Sequence, residues 1–207
     1  MPRPLQPVTL TGSHVQLEPL SLGHVDELVV AGSIDRSTYA FTDVPDGHDA
    51  MTRYVERLLF EHAECKVLPF AQRRLSNGEI VGCTRYLEIR WFAGRVDPDE
   101  LEIGGTWLAA TAQRTAVNTE AKLLLLRYAF EQLSVWRVAI CTDADNQQSR
   151  TAIARIGASF EGVLRNHRLR YNTPTEEPRD TAVYSVIRSE WPSVSAGLAA
   201  RVDAVVR

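Results

Sequence analysis

Residues 101–133, LEIGGTWLAATAQRTAVNTEAKLLLLRYAFEQL, constrain this chain more than any other stretch. An apolar, strand-like run over 103–108 enters a loop of small and polar residues. The loop opens directly into a strongly apolar helix, expected from about 118 to 133. Apolar residues at 123, 126, 130 and 133 fall on one stripe, widened by 121, 124, 125 and 129, with Glu120, Arg127 and Glu131 opposite. A helix this apolar is mostly buried. Its first four N–H groups have no partner within the helix, and Asn118 or Thr119 is expected to cap one of them. The remaining donors and the helix dipole suit an anion. The small side chains of Thr115 and Ala116 open the backbone to a ligand, and Arg114 adds a charge. Two readings stand at this point: a pyrophosphate cradle, or an ordinary capped connection from strand to helix.

The flanking sequence supplies a sheet and its helices. HVQLEPL (14–20) alternates apolar and polar residues, as a strand does. A helix is expected over about 23–31, then an irregular stretch to about 47. Residues 49–64 repeat apolar side chains at helical spacing, with Met51, Tyr54, Val55, Leu58 and Leu59 on one face. Residues 67–91 read as a hairpin that turns at SNGE (76–79) on its Asn-Gly signal. The acidic GRVDPDE (94–100) reads as a loop. WRVAICTD (136–143) reads as a short strand, buried on both faces if it pairs in parallel. NQQSRTAIARIGA (146–158) is expected to be a helix that stops at Gly157. Two further strands, 159–171 and 179–187, are joined by NTPTEEP, a loop by its prolines and polar residues. A last helix follows from 191 to 206. With no repeat, low-complexity tract or linker, 1–207 reads as one α+β (α/β) domain with a mostly antiparallel sheet and helices on its faces.

Composition narrows the function. The 207 residues are 44% hydrophobic, enough for a substantial core. The net charge is −3 and no basic run is sustained, which argues against nucleic acid as the main partner. The short basic stretch Arg165, His167, Arg168, Arg170 is followed at once by Glu176 and Glu177 and reads as a solvated strand face. No apolar run is long enough to span a bilayer, and MPRPLQPVTL lacks a signal-peptide core, so a cytoplasmic location without membrane attachment is expected. Cys65, Cys83 and Cys141 are odd in number and widely spaced, as reduced thiols are. His62 and Cys65 sit three apart without further ligands nearby, so no metal is expected. GxxxxGK[ST], GxGxxG after a strand, GxSxG and HExxH are all absent.

Several segments, read together, resemble a known family. EIGGTWL precedes the loop, Gln113-Arg114-Thr115-Ala116-Val117-Asn118 lies in it, and NTEAKLLLLRYAFE follows. RVAICTDADNQQSRTAIARIGASFEGVLRNHR, RDTAVYSVIRSEWP and the opening VQLEPLSLGHVDEL complete the pattern. These resemble the GNAT superfamily of acyl-CoA-dependent N-acyltransferases, specifically its RimJ/RimL-like branch. The superfamily's loop motif is Q/R-x-x-G-x-G/A. Gln113 matches it, Ala116 replaces the first glycine, and Asn118 stands at the second small position.

The resemblance implies a mixed, mostly antiparallel sheet of about seven strands, with a V-shaped split between the fourth and fifth. Acetyl-CoA would lie in the opening, and its acetyl group would pass directly to a primary amine of a protein N-terminus or a small molecule. Trp107 and Leu108 would offer backbone partners to pantetheine. Gln113, Arg114, Thr115, Ala116, Val117, Asn118 and Thr119 would hold the pyrophosphate, and Asn146 would hydrogen-bond the pantetheine region. Glu102 is the candidate base, because loss of water in an apolar strand makes a carboxylate a better base. The competing reading is a salt bridge to Arg85 or Arg90. An N–H near Leu108 would hold the oxyanion. Ser149 would protonate the departing thiolate or merely cap its helix; Tyr171 is an alternative acid, and His167 reads as structural. The acidic Asp97, Asp99 and Glu100 either favour a cationic acceptor or form a solvated loop. Trp91 and Phe92 belong either to a homodimer interface or to a local cluster. The altered glycines leave a rival expectation, a non-catalytic acyl-CoA-binding or regulatory protein of the same fold. An unrelated α+β binding protein, with no affinity for CoA, is the third.

Overall fold

The computed structural model describes residues 4–171 and 177–204. Eight strands form one sheet in the order β1-β2-β3-β4-β5-β6-β8-β7. They are β1 (Leu10–Thr11), β2 (Val15–Pro19), β3 (Leu68–Arg74), β4 (Ile80–Arg90), β5 (Glu100–Leu108), β6 (Arg137–Asp143), β7 (Ser159–Leu169) and β8 (Pro178–Ile187). The count exceeds the expected seven because Leu10 and Thr11 pair with Leu17 and Gln16 as a short extra edge. Every pairing is antiparallel except β5 with β6. The expected hairpin forms between β3 and β4. Of the loop expected over 172–178, residues 172–176 lie outside the described residues, as does Glu176 with them.

Five α-helices complete the fold among the described residues: α1 (Val25–Ser33), α2 (His48–Ala63), α3 (Ala116–Arg127), α4 (Gln147–Ile156) and α5 (Trp191–Ala204). Successive residues of a strand point to opposite faces, and β4 shows which helix lies where. Arg85 Nη1 donates to the Tyr54 hydroxyl of α2 at 3.3 Å, whereas the Tyr86 hydroxyl donates to the Leu125 carbonyl of α3 at 2.5 Å. α2 therefore covers one face and α3 the other. α5 packs on α3 and on the turn that follows it, where Trp191 stacks on Phe130 with ring centroids 5.4 Å apart. The stripe on α2 is as expected, with Met51, Tyr54, Val55 and Leu58 buried.

α3 departs from its expected bounds. It starts two residues early, because the Thr115 hydroxyl caps it by accepting the Val117 N–H. It ends at Arg127 and continues as a single π-helical turn, Tyr128–Gln132. Glu120, expected on the polar side, is buried. Its carboxylate accepts the N–H groups of Ser13, His14 and Val15 at 2.7, 2.6 and 2.8 Å, which ties α3 to the start of β2. Gly157 ends α4 in the left-handed conformation, with φ +97°, as its position predicts.

Candidate active site

The parallel pairing of β5 with β6 is short. Glu100, Leu101 and Glu102 face Arg137, Val138 and Ala139, and there the register ends. β5 runs on to Leu108 and β6 to Asp143, so the two strands part beyond Glu102. Their edges are left open to a ligand over that length. This is the split expected between the family's fourth and fifth strands; the extra edge strand makes them β5 and β6 here. Both strands end at the same side of the sheet, and each feeds a helix, α3 after β5 and α4 after β6. Carboxyl ends of parallel strands and helix N-termini are where anionic ligands bind in open sheets.

A bulge shapes β5 beside the split. Arg85 faces Gly104 and Cys83 faces Trp107, so one residue of β4 opposes two of β5. Gly105 takes φ +55°, and a Cβ there would stand 2.3 Å from the Arg85 guanidinium carbon. Only glycine satisfies both demands. Past the bulge, the Ala109 N–H donates to the Val81 carbonyl at 2.7 Å, and the Trp107 carbonyl accepts from Gln72 Nε2 at 3.4 Å. The backbone groups of 107 and 109 thus face β4, and those of Leu108 face the split. The expectation for Trp107 is corrected by this alternation: its backbone is committed to the sheet. Leu108 presents its N–H to the opening, while its carbonyl accepts from Gln113 Nε2 at 3.0 Å.

The loop residues divide by role. Gln113 is a brace, since its side chain holds Leu108 and its N–H donates to the Ala110 carbonyl at 3.3 Å. Arg114 is exposed and carries the loop's positive φ, +59°. Ala116, which stands where the family's motif has its first glycine, is the first helical residue and is buried. The amides of Ala116 and Asn118 lie in the first turn without an intrahelical acceptor, and that of Val117 is capped by Thr115. Asn118 Oδ1 is buried without a hydrogen-bond partner among the described residues. Thr119 is half-buried behind it. Across the split, Asn146 Oδ1 caps α4 by accepting the Ser149 N–H at 2.9 Å, so that oxygen is taken up by the helix. The Ser149 hydroxyl has no hydrogen-bond partner among the described residues and stands in the first turn of α4. Tyr171 lies apart, its ring 5.6 Å from the Arg179 guanidinium.

Glu102 is buried, 4% exposed, where the split begins. Arg168 of β7 grips it bidentately, Nη1 to Oε1 at 3.0 Å and Nη2 to Oε2 at 2.8 Å. The partner is thus neither Arg85 nor Arg90, and Arg168 is no solvated surface residue. Beyond Arg168 and the neighbouring Cys141 thiol, the carboxylate keeps lone-pair capacity. Cys141, in the part of β6 beyond its pairing with β5, lies beside this pair; burial first, and then the Glu102 charge, push its thiol up to about 12. On the α3 face of the bulge, Lys122 Nζ donates to the Thr106 hydroxyl at 2.8 Å, and Thr106 meets Thr84 at 2.8 Å. Burial alone lowers the Lys122 ammonium to about 7.

The acidic loop before β5 is committed to structure. Asp99 is fully buried and accepts the N–H groups of Phe92 and Ala93, both at 2.8 Å. Burial pushes its carboxyl up, but those donors and Arg95 outweigh it and hold it below the usual range. Glu100 pairs with Arg137 at 3.1 Å. These two acids are therefore not free to receive a cationic acceptor. Phe92 is exposed but tilts against Trp136, with centroids 5.7 Å apart, and Trp91 Nε1 donates to the Val96 carbonyl at 3.2 Å. Among the described residues no group of His, Cys, Asp and Glu forms a metal site, and no helix is long and apolar enough to cross a membrane.

Comparison with known proteins is consistent with this geometry. The profile of the acetyltransferase (GNAT) domain matches residues 14–159. A Bacillus subtilis (strain 168) protein named as a ribosomal N-acetyltransferase, YdaF, is 37% identical over 87 residues, which are 42% of this chain. The match spans 45% of that protein's length. A GCN5-related N-acetyltransferase from Brucella melitensis superposes with a TM-score of 0.83 at 28% identity, covering 97% of this chain and 88% of that one. Mycobacterium smegmatis RimJ, solved with CoA-disulfide, shares the fold at a TM-score of 0.77 and 20% identity, covering 96% and 97% of the two chains.

Proposed function

The chain belongs to the acetyltransferase (GNAT) family, and from that premise we propose that it moves the acetyl group of acetyl-CoA directly to a primary amine. The observation that carries the reading is the split. β5 and β6 stop pairing at Glu102 and Ala139 yet both continue, and the N-termini of α3 and α4 stand at its open end. In this reading pantetheine lies along the open edge of β5, and the pyrophosphate rests on the amides of Ala116 and Asn118 with Arg114 beside it. That a protein of the same fold holds a CoA disulfide supports the coenzyme. The substitution of glycine by Ala116 does not favour a non-catalytic protein, because that position is helical and needs no positive φ.

The chemistry needs a deprotonated amine, a donor to the thioester oxygen and a proton for the thiolate. We assign the oxygen to the Leu108 N–H, which the brace from Gln113 holds in place. Glu102 takes the amine proton on its remaining lone pairs, with Arg168 fixing its plane. The Ser149 hydroxyl is the proton source nearest the α4 end. Cytoplasmic residence and a homodimer belong to the same reading. No disulfide joins the cysteines among the described residues. A monomeric mass by light scattering would remove the dimer.

Thiol release from acetyl-CoA, screened over primary amines, tests the proposal. Glu102→Gln should lose on the order of 10²-fold in kcat, the usual share of a general base, while acetyl-CoA affinity stays within about twofold. Unchanged turnover in that variant would take Glu102 out of the mechanism. No thiol release with any amine tested would remove the enzyme reading.

A further inference from the structure

We infer that the acceptor is an amine that carries a carboxylate a few bonds away, and that Arg85 reads that carboxylate; the inference rests on the acetyltransferase reading above. The starting observation is an unmatched cation. Arg85 projects from β4 on the α2 face, with its guanidinium against Gly105 at the bulge. Its one hydrogen bond among the described residues is from Nη1 to the Tyr54 hydroxyl at 3.3 Å, and no carboxylate pairs with it. Its Nε is buried and has no partner. A planar guanidinium left in this state fits a carboxylate bidentately better than any neutral group.

The surroundings point the same way. A cleft of about 410 Å³ lies between the end of α2 and β4, and Arg85 and Leu87 line it. Its charged walls are Arg57, Lys66 and Arg90 against Glu61 and Glu88. The acids there are already answered: Glu61 by Arg57 at 2.8 Å, and Glu88 by Arg90 at 3.7 Å and Arg168 at 3.9 Å. The neighbouring Glu102 belongs to Arg168, and Glu100 to Arg137. With Arg85 counted, four cations face two acids, and the excess falls on Arg85 and the exposed Lys66. A cationic acceptor would meet repulsion in such a cleft.

Geometry sets the spacing between the two acceptor groups. Arg85 opposes Gly104, and Leu87 opposes Glu102. Arg85 and Glu102 are thus diagonal neighbours on one face, with Cβ atoms roughly 7 Å apart. An amine whose proton passes to Glu102 places a group two to four bonds away beside Arg85, an order-of-magnitude match to that spacing. Free amino acids have this layout, and so does a peptide whose first residue is acidic. The shared chemistry is an amine and a carboxylate on one short skeleton.

The test compares acids with their amides in the thiol-release assay. The acceptors are glycine, alanine and β-alanine against glycinamide, alaninamide and β-alaninamide, and amidated dipeptides beginning with Asp or Glu against those beginning with Asn or Gln. The wild type should favour the acid of each matched pair by about tenfold or more in kcat/KM, the worth of one charge-assisted pair. The free-acid and dipeptide arms separate a metabolite-like acceptor from a peptide one. Arg85→Gln should raise the KM of the acid acceptors and bring the acid-to-amide ratio toward one. Arg85→Lys should keep part of the preference. Acetyl-CoA affinity, measured by calorimetry, should hold in both variants. Equal use of acids and amides by the wild type overturns the inference, and that comparison stands even if Arg85→Gln fails to fold. A fall in kcat for both classes with KM unchanged also overturns it, because the guanidinium would then serve the thioester. Acetyl-CoA binding without reaction of any acid-bearing amine defeats this inference alone, whereas absence of acetyl-CoA binding removes the reading beneath it as well.

Discussion

Replacing Lys122 with methionine should change how the protein's stability responds to pH. Lys122 is buried, and its only hydrogen bond among the described residues goes to the Thr106 hydroxyl. Burial lowers its ammonium from 10.5 to about 7 in the folded chain. Between those values the unfolded state binds a proton that the folded state does not, so the lysine's contribution to stability improves as pH rises. One unit is worth about 1.4 kcal/mol, and the whole span therefore approaches ~5 kcal/mol. Between about pH 6 and about pH 9.5 the improvement is roughly 3 kcal/mol. Other groups titrate over this range, but they are common to both proteins and cancel in the difference. Urea denaturation of the wild type and Lys122→Met at both pH values gives that difference directly. The wild type should gain roughly 3 kcal/mol on the variant between acid and alkali. A stability difference that is the same at both pH values would mean that Lys122 keeps an ordinary pKa, and the reasoning from burial would be refuted.

Glu120→Ala should destabilise the fold by more than about 3 kcal/mol, because three N–H donors at the start of β2 lose their acceptor; a loss under 1 kcal/mol in the same denaturation assay would contradict that. Gly105→Ala should leave the protein folded but displace the Arg85 guanidinium, lowering acceptor kcat/KM about tenfold; wild-type kinetics would show that the bulge tolerates a side chain. Asp99→Asn should flatten the acid limb of the stability profile. The depressed carboxyl contributes stability above its unfolded pKa and loses it as pH falls through its folded one, so an acid limb identical to that of the wild type would rule Asp99 out.

Local signals carried most of the architecture. The Asn-Gly turn between β3 and β4, the stripe on α2 and the Gly157 stop on α4 depend on neighbours in sequence, and each stands where its signal puts it. The parallel strand, the loop and the buried helix behind it were also legible, because burial on both faces leaves a continuous apolar run. Contacts between distant residues were not. Glu102 and Arg168 are 66 positions apart, and nothing in either stretch names the other. Glu120 sits at a polar position on its helix, yet it is buried because β2 arrives from more than a hundred residues away with three unsatisfied donors. Arg114 shows a different limit: the loop's positive φ depends on how the chain enters α3, and nothing in the residue type marks an arginine for it. One signal was present and unread. A Gly-Gly pair inside a strand marks a bulge, and Gly104-Gly105 stands at the register shift between β4 and β5.

The most direct test of the account is a calorimetric titration of the protein with acetyl-CoA, with CoA, ATP and NAD as comparisons. Binding near micromolar that is selective for the two CoA compounds is the predicted result, and Arg114→Ala should weaken it. No heat and no thermal shift with acetyl-CoA, or equal binding of ATP and NAD, would contradict the assignment of the β5–β6 split to the coenzyme.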